Sequence, residues 1–275
     1  MNISPSPSVG DILRTWRQRR RFSQLDLASE AAVSTRHLSF VETGRANASR
    51  EMLLHLAQCL EMPLGERNAL LAAAGYAPVY PRRELDDPAM RAVRETIDLL
   101  LRGHEPHPSL VIDRHWNLVA ANRVLPLLLG DVAPVLMTPP VNILRLAVHP
   151  EGLASRIVNA REYIGFLVAR LRHEVAVSGD PVLAALLEEL GVWRHEQGWD
   201  DRDTGWTASH EIAVPFRIRT DLGILSFLGT TTVFGTATDI TVSELTIESF
   251  FPLDSSTRDA LVGLSRSLSS GEHAG

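Results

Sequence analysis

The chain contains no lysine: all 27 basic side chains are arginine. Genomic base composition alone accounts for such a bias, so it carries no function by itself. There is one cysteine, Cys59, which excludes an internal disulfide, and a single thiol cannot build a zinc site alone. No apolar run approaches the roughly 20 residues of a membrane-spanning helix, and residues 1–8 lack the apolar core of a signal peptide. The expectation is a cytoplasmic protein. Also missing are a G-x-S-x-G elbow, a P-loop and a G-x-G-x-x-G turn, which removes the commonest hydrolase and nucleotide-binding signatures.

What is present is a chain of 275 residues, 45% hydrophobic, enough for one large or two modest domains. The net charge of −6 argues at first against a nucleic-acid partner, but the average conceals an asymmetry. Residues 1–80 carry nine arginines and seven acids; residues 81–275 carry eighteen and twenty-six. Five of the first nine arginines, Arg14, Arg17, Arg19, Arg20 and Arg21, sit within one short stretch. A local basic face suffices for phosphate contacts whatever the total charge, though a solvated helix face has the same composition.

Residues 9–75 read as five short helices: Val9–Arg20, Gln24–Ala31, Thr35–Glu42, Ser49–Leu60 and Leu64–Ala74. Ser23 and Ser34 stand at N-cap positions, and Gly44 at a C-terminal stop. Residues 79–108 read as a linker with a connecting helix at Ala89–Leu101. From residue 109 the pattern is mixed. Strands are expected at Leu110–Asp113 and Leu118–Ala121, then a short helix capped by Asn122. Helices follow at Asn142–Ala147, Ser155–Ser178 and from Pro181 to about Leu190. The end is β-rich: apolar Ile212, Val214, Phe216 and Ile218 alternate with other residues, then come Ile224–Phe234, Ile240–Phe250 and a closing helix Thr257–Leu268. The fold class is α+β: an all-α five-helix domain (1–78), the linker, and a domain (109–275) with a five-stranded antiparallel sheet and helices on one side.

Residues 23–45 read SQLDLASEAAVSTRHLSFVETGR. Two short helices with a tight turn between them can project the second into a major groove. Leu27, Ala28, Val33, Leu38 and Val41 point inward and set the interhelical angle. That leaves Thr35, Arg36, Ser39 and Phe40 on the outer face. Arg36 suits the two acceptors of a guanine edge, and Thr35 or Phe40 a thymine methyl. Phe40 can equally cover the edge of the core. Backbone amides near Gln24 and Ser34, at helix N-termini, suit phosphate oxygens.

Over roughly residues 9–75 the chain closely resembles the XRE (Cro/repressor-type) family. The resemblance rests on Ser23-Gln24, Leu27-Ala28, Val33-Ser34, Leu38, Val41-Glu42, Gly44-Arg45 and the helix around Leu53, Leu56-Ala57 and Leu60. It implies phosphate contact at Gln24, base reading from the third helix, Arg45 among the DNA contacts, and a structural ion pair between Arg17 and Glu42. Two positions depart from the family pattern. Ala32 replaces the usual turn glycine, which costs energy if its backbone is left-handed. Ala48 replaces a frequent proline and should loosen the start of the fourth helix.

The second half resembles the ligand-binding domain of MmyB-like regulators, a PAS-like module, through LDDPAM, HEPHPSLVIDRHWNLVAAN, NILRLAVHPEGL and IVNAREY. That resemblance implies a small, largely apolar, fatty-acid-like effector. For the chain as a whole the expectation is a homodimer with a double-stranded DNA operator as partner, and no cofactor or metal. A curved sheet under helices can hold such a pocket, with Trp116, Phe166, Phe216, Phe227 and Phe234 as candidate lining. Plain core packing is the competing reading for each.

Two other classes compete. An enzyme would need a constellation such as His104-x-x-His107, but Pro106 and Pro108 break the helix that would put both rings on one face. The Asp200–Asp203 charge run suits a solvated loop, and Cys59, among apolar neighbours, an inert thiol. An antitoxin-like partner protein is argued against by the long second half.

Overall fold

A computed structural model describes residues 7–199 and 213–271, with side chains of the last helix described to residue 266. Asp200–Asp203 and Ile212 lie outside the described residues. The chain forms two compact units: residues 1–84 with 235–243, and residues 85–234 with 244–275. Among the described residues no helix is long and apolar enough to cross a membrane.

The helical unit has five helices: α1 (Val9–Arg19), α2 (Gln24–Glu30), α3 (Thr35–Glu42), α4 (Arg50–Cys59) and α5 (Leu64–Ala73). Serine starts the first four. Ser8, Ser23, Ser34 and Ser49 each accept a hydrogen bond from the backbone N–H three residues on, satisfying a donor that the helix itself leaves unpaired. At Ser8 and Ser23 an aspartate, Asp11 or Asp26, bonds back to complete a capping box. Leu13, Trp16, Leu27, Leu38, Leu53, Leu56 and Leu70 form a closed core. The segment Gly235–Ser243 completes this unit: Ile240 N–H donates to Pro81 C=O at 2.8 Å, and Arg83 pairs with Asp239 at 3.0 Å.

Both departures from the family pattern are accommodated. Ala32 sits at φ +51°, and Val33 N–H still reaches Ala28 C=O at 2.9 Å, so the turn keeps its form and carries the left-handed cost. Ala48 is buried and its carbonyl accepts from the Tyr76 hydroxyl at 3.2 Å; that bond restrains the approach to α4 where proline would have done so.

The second unit begins with α6 (Arg91–His104), followed by β1 (Ser109–Ile112), β2 (Leu118–Ala121), α7 (Leu125–Leu129), α8 (Ile143–Val148), α9 (Ala160–Ser178) and α10 (Pro181–Glu196). It ends with β3 (Phe216–Thr220), β4 (Gly223–Val233), β5 (Thr246–Pro252) and α11 (Ser255–Gly271). The sheet is antiparallel in the order β2-β1-β5-β4-β3, giving the expected α+β architecture with a five-stranded antiparallel sheet. Alternation along the strands sorts side chains to the two faces. Leu110, Ile112, Ile218, Leu225 and Phe227 join the core formed with α7–α10. Val111 and Ile247 face the other way and pack against Ile97 and Leu101 of α6.

Three expectations are corrected. Helices are not confined to one side, because α6 covers the second face through Ile97 and Leu101. Ser155–Asn159 is not helical: Val158 N–H bonds Arg217 C=O at 2.8 Å and Arg219 N–H bonds Arg156 C=O at 2.9 Å, so this segment satisfies the otherwise open edge of β3. Ile240–Phe250 is not one strand. Asp239 accepts from Thr241 N–H at 2.9 Å and starts a helical turn, Ile240–Ser243, before β5 begins at Thr246.

Candidate nucleic-acid interface and ligand cavity

The N-terminal half of α3 is open. Ser34, Thr35 and Arg36 are exposed, as is Arg45 just beyond the helix, while Ser39 and Phe40 are half-buried. The Arg36 guanidinium lies over the Phe40 ring, 5.3 Å from its centre, so cation and ring form one continuous patch. Ser34 is committed to His37 N–H at 3.1 Å.

Behind this face Glu42 is a buried hub, its side chain fully shielded from solvent. Arg17 grips it with two bonds, Nε to Oε1 at 2.7 Å and Nη2 to Oε2 at 3.0 Å, and its Nη1 reaches the Phe22 carbonyl at 2.9 Å. Gln24 Nε2 donates to Oε2 at 2.8 Å, so that side chain is turned toward the hub. Arg14 Nη2 holds the Glu42 backbone carbonyl at 2.9 Å. Burial on its own would raise the Glu42 pKa; the bonds from Arg17 and Gln24 and the charges of Arg17 and Arg14 outweigh it and hold the carboxyl below its usual range. Sequence reasoning missed Arg14, the inward turn of Gln24, and Gly10. A Cβ on Gly10 would lie 2.2 Å from the Glu42 carbonyl oxygen. A glycine inside a helix was the available signal for such a close approach.

The second unit encloses a cavity of about 290 Å³, at the lower end of the range for small-molecule sites. Trp116, Phe166, Phe216 and Phe227 all line it. Phe234 does not: it lies one residue past β4 and packs with the α6 cluster on the opposite face. Sequence reasoning missed Tyr163 and Phe250, which line the cavity and pack tilted against Phe216, at 4.7 and 5.6 Å between ring centres. Trp116 reaches the cavity because its backbone is left-handed, at φ +66°, in a turn held by Asp113, whose carboxylate accepts from His115 and Asn117 N–H at 2.8 and 2.9 Å.

The wall is mostly apolar; its polar side chains include Thr231, Tyr163, Arg170 and Glu248. Arg170 Nη2 pairs with Glu248 Oε1 at 2.9 Å, and its Nε with Glu174 at 3.2 Å. Its guanidinium covers the Trp116 ring at 4.4 Å, while Trp116 Nε1 donates to Glu174 at 2.7 Å. Thr231 Oγ1 lies within 3.2 Å of both Glu248 oxygens. Burial drives the Tyr163 phenol far above its ordinary pKa, with the Glu248 charge adding to the effect, and its hydroxyl makes no hydrogen bond among the described residues.

The remaining candidates have structural surroundings. His104 Nδ1 bonds the Leu100 carbonyl at 2.8 Å, and both His104 and His107 lie against Phe251. Among the described residues no three His, Cys, Asp or Glu side chains are grouped to hold a metal. Burial pushes the Cys59 thiol pKa up, away from the thiolate needed for nucleophilic chemistry.

A capped helix-turn-helix with an open second helix, and a sheet domain around a mostly apolar cavity, define a class: the DNA-binding transcription regulator with a ligand-binding domain. Residues 93–264 match the family model of the MmyB-like transcription regulator ligand binding domain, and residues 8–70 match a helix-turn-helix domain model. The chain belongs to the MmyB-like transcription regulator family. No curated protein matches it.

Proposed function

We propose that α3 is the recognition helix of an operator-binding homodimer, and that a small, mostly apolar molecule in the second unit's cavity sets its affinity for DNA. The observation that carries the first part is the patch of exposed Thr35 and Arg36 with half-buried Ser39 and Phe40, anchored from behind by the Glu42 hub. Arg36 reads a guanine edge while Phe40 or Thr35 packs on a thymine methyl. Ser34, Arg45 and the backbone amide of Gln24 take phosphate oxygens; Gln24 keeps one amide hydrogen beyond the one given to Glu42. Two such helices about 34 Å apart read half-sites one turn apart.

The chain supplies a route for coupling. β4 carries Phe227, Gly229 and Thr231 along the cavity wall and continues into Gly235–Ser243, which packs within the helical unit through Asp239 and Ile240. A ligand that shifts β4 therefore acts on a segment of the DNA-binding unit, and the linkage is reciprocal: DNA must change ligand affinity by the same factor.

The test is binding of Arg36→Ala to a panel of operator variants. A loss of about 1–3 kcal/mol confined to one base pair supports base reading. A uniform loss over all sequences makes Arg36 a phosphate contact and removes the assignment. Identical operator affinity with the cavity empty and saturated removes the regulatory half.

A further inference from the structure

In the helical unit the guanidiniums of Arg14, Arg17, Arg20 and Arg67 are spent on backbone carbonyls or on Glu42. Arg36 is not. Among the described residues it makes no hydrogen bond or ion pair, and no acid stands three or four residues from it. Its guanidinium lies over the Phe40 ring, 5.3 Å from the ring centre, within the range of a cation–π contact. The two residues are four apart and share one face of α3. Core packing does not account for the ring: the half-buried apolar side chains against the helical core include Val33, Ala46, Met52 and Leu54, and Phe40 is not among them. The backbone beneath the ring is held independently, because the Phe40 carbonyl accepts from Arg45 and Ala46 N–H at 2.8 and 3.2 Å. An arginine side chain has much rotamer freedom to lose on binding. Stacking restricts it in advance, and it occupies only the flat face of the guanidinium. The N–H donors along the edge stay open, and these are the ones that a guanine edge needs.

We propose, on the reading that Arg36 contacts a base, that Phe40 is a positioning residue for that contact: its ring holds the Arg36 guanidinium ready for a guanine edge and itself touches no base. Discrimination at the guanine then belongs to the pair, and a thymine methyl falls to Thr35.

The full chain first selects its preferred duplex from a random-sequence pool. Phe40→Leu, Phe40→Tyr, Arg36→Ala and the Arg36→Ala/Phe40→Leu double variant are then titrated by fluorescence anisotropy against that duplex and its single-base-pair variants. Phe40→Leu is expected to bind the selected duplex about two- to fivefold more weakly. The loss should vanish when the base pair that Arg36→Ala identifies is changed, and vanish again in the double variant. Phe40→Tyr keeps a ring face and is expected to bind as the unmodified chain does. Where Phe40→Leu does not fold, Phe40→Met, also without a ring face, takes its place. A loss that persists in the Arg36→Ala background, or that follows a thymine pair, makes Phe40 a base contact and overturns this inference while the base-reading assignment stands. An equal loss on every duplex, no loss at all, or a Phe40→Tyr loss as large as that of Phe40→Leu overturns it as well. If Arg36→Ala weakens all duplexes uniformly, or the pool yields no preferred sequence, the base-reading assignment itself falls, and the role of Phe40 with it.

Discussion

Each unit buries a glutamate against an arginine, and the two pairs differ in what surrounds them. Glu42 meets Arg17 through two parallel bonds, takes a third from Gln24, and is sealed from solvent. Glu248 meets Arg170 through Nη2, shares Thr231, and borders a cavity in which Tyr163 has an unused hydroxyl. A satisfied pair in a closed core fixes geometry: it joins α1, α2 and α3, and so sets the angle at which α3 is presented. The second pair is not sealed in this way: both of its members line the cavity. The same two residue types are sealed inside a core in one unit and border a cavity in the other.

Glu42→Ala should produce the largest effect, because it strands the Arg17 guanidinium in a buried site. The expected cost is about 3–5 kcal/mol in denaturant unfolding. The pH dependence carries the same signature. The folded-state pKa of Glu42 is lowered, so its contribution is intact above the unfolded carboxyl value of about 4.3 and is lost as pH falls through the lower folded value. A variant with an unchanged acid limb would contradict the strut assignment.

Gly10→Ala tests the same strut sterically. The new Cβ meets a backbone carbonyl at 2.2 Å, which no rotamer can relieve, and about 1–3 kcal/mol is expected from overpacking. A neutral result in a thermal melt would mean that α1 and α3 separate freely. Glu248→Gln should cost only about 1 kcal/mol, since its amide still bonds Thr231 and Arg170 is partly exposed. A loss as large as that of Glu42→Ala would erase the contrast between the two pairs. The smallest change expected is a gain. Ala32→Gly relieves the left-handed alanine at φ +51° and should raise stability by about 0.5 kcal/mol; a lower melting temperature would show that the turn is unstrained.

Local signals were strong where the helices are short and capped. Ser23, Ser34 and Gly44 mark their boundaries because a cap is a contact between near neighbours in the chain. The exposure of Thr35 and Arg36 follows from the inward set Leu27, Leu38 and Val41, while Ser39 and Phe40 are half-buried. In the second half the periodicity of Ile240–Phe250 hid a helical turn, since four residues around Asp239 are too few to show a helical repeat. The stretch Ser155–Asn159 looked helical and was claimed by the edge of β3, a demand made by backbone groups of a strand about sixty residues away. Phe234 and Phe227 look alike in the sequence, yet they pack in different clusters on opposite faces of the sheet, as an odd separation along an extended chain requires.

The sequence by itself determined the two-part α+β plan, the helix-turn-helix and the residues it exposes, because these depend on spacing and capping over a few turns. Four of the five aromatic residues expected at the cavity were legible as well. Only the tertiary structure decided that Gln24 turns to Glu42, that Gly10 must lack a side chain, and that Arg170, Glu248, Tyr163 and Thr231 line one cavity. Those meetings join residues far apart in the chain, and whether a polar group is spent or spare depends on partners that no local pattern specifies.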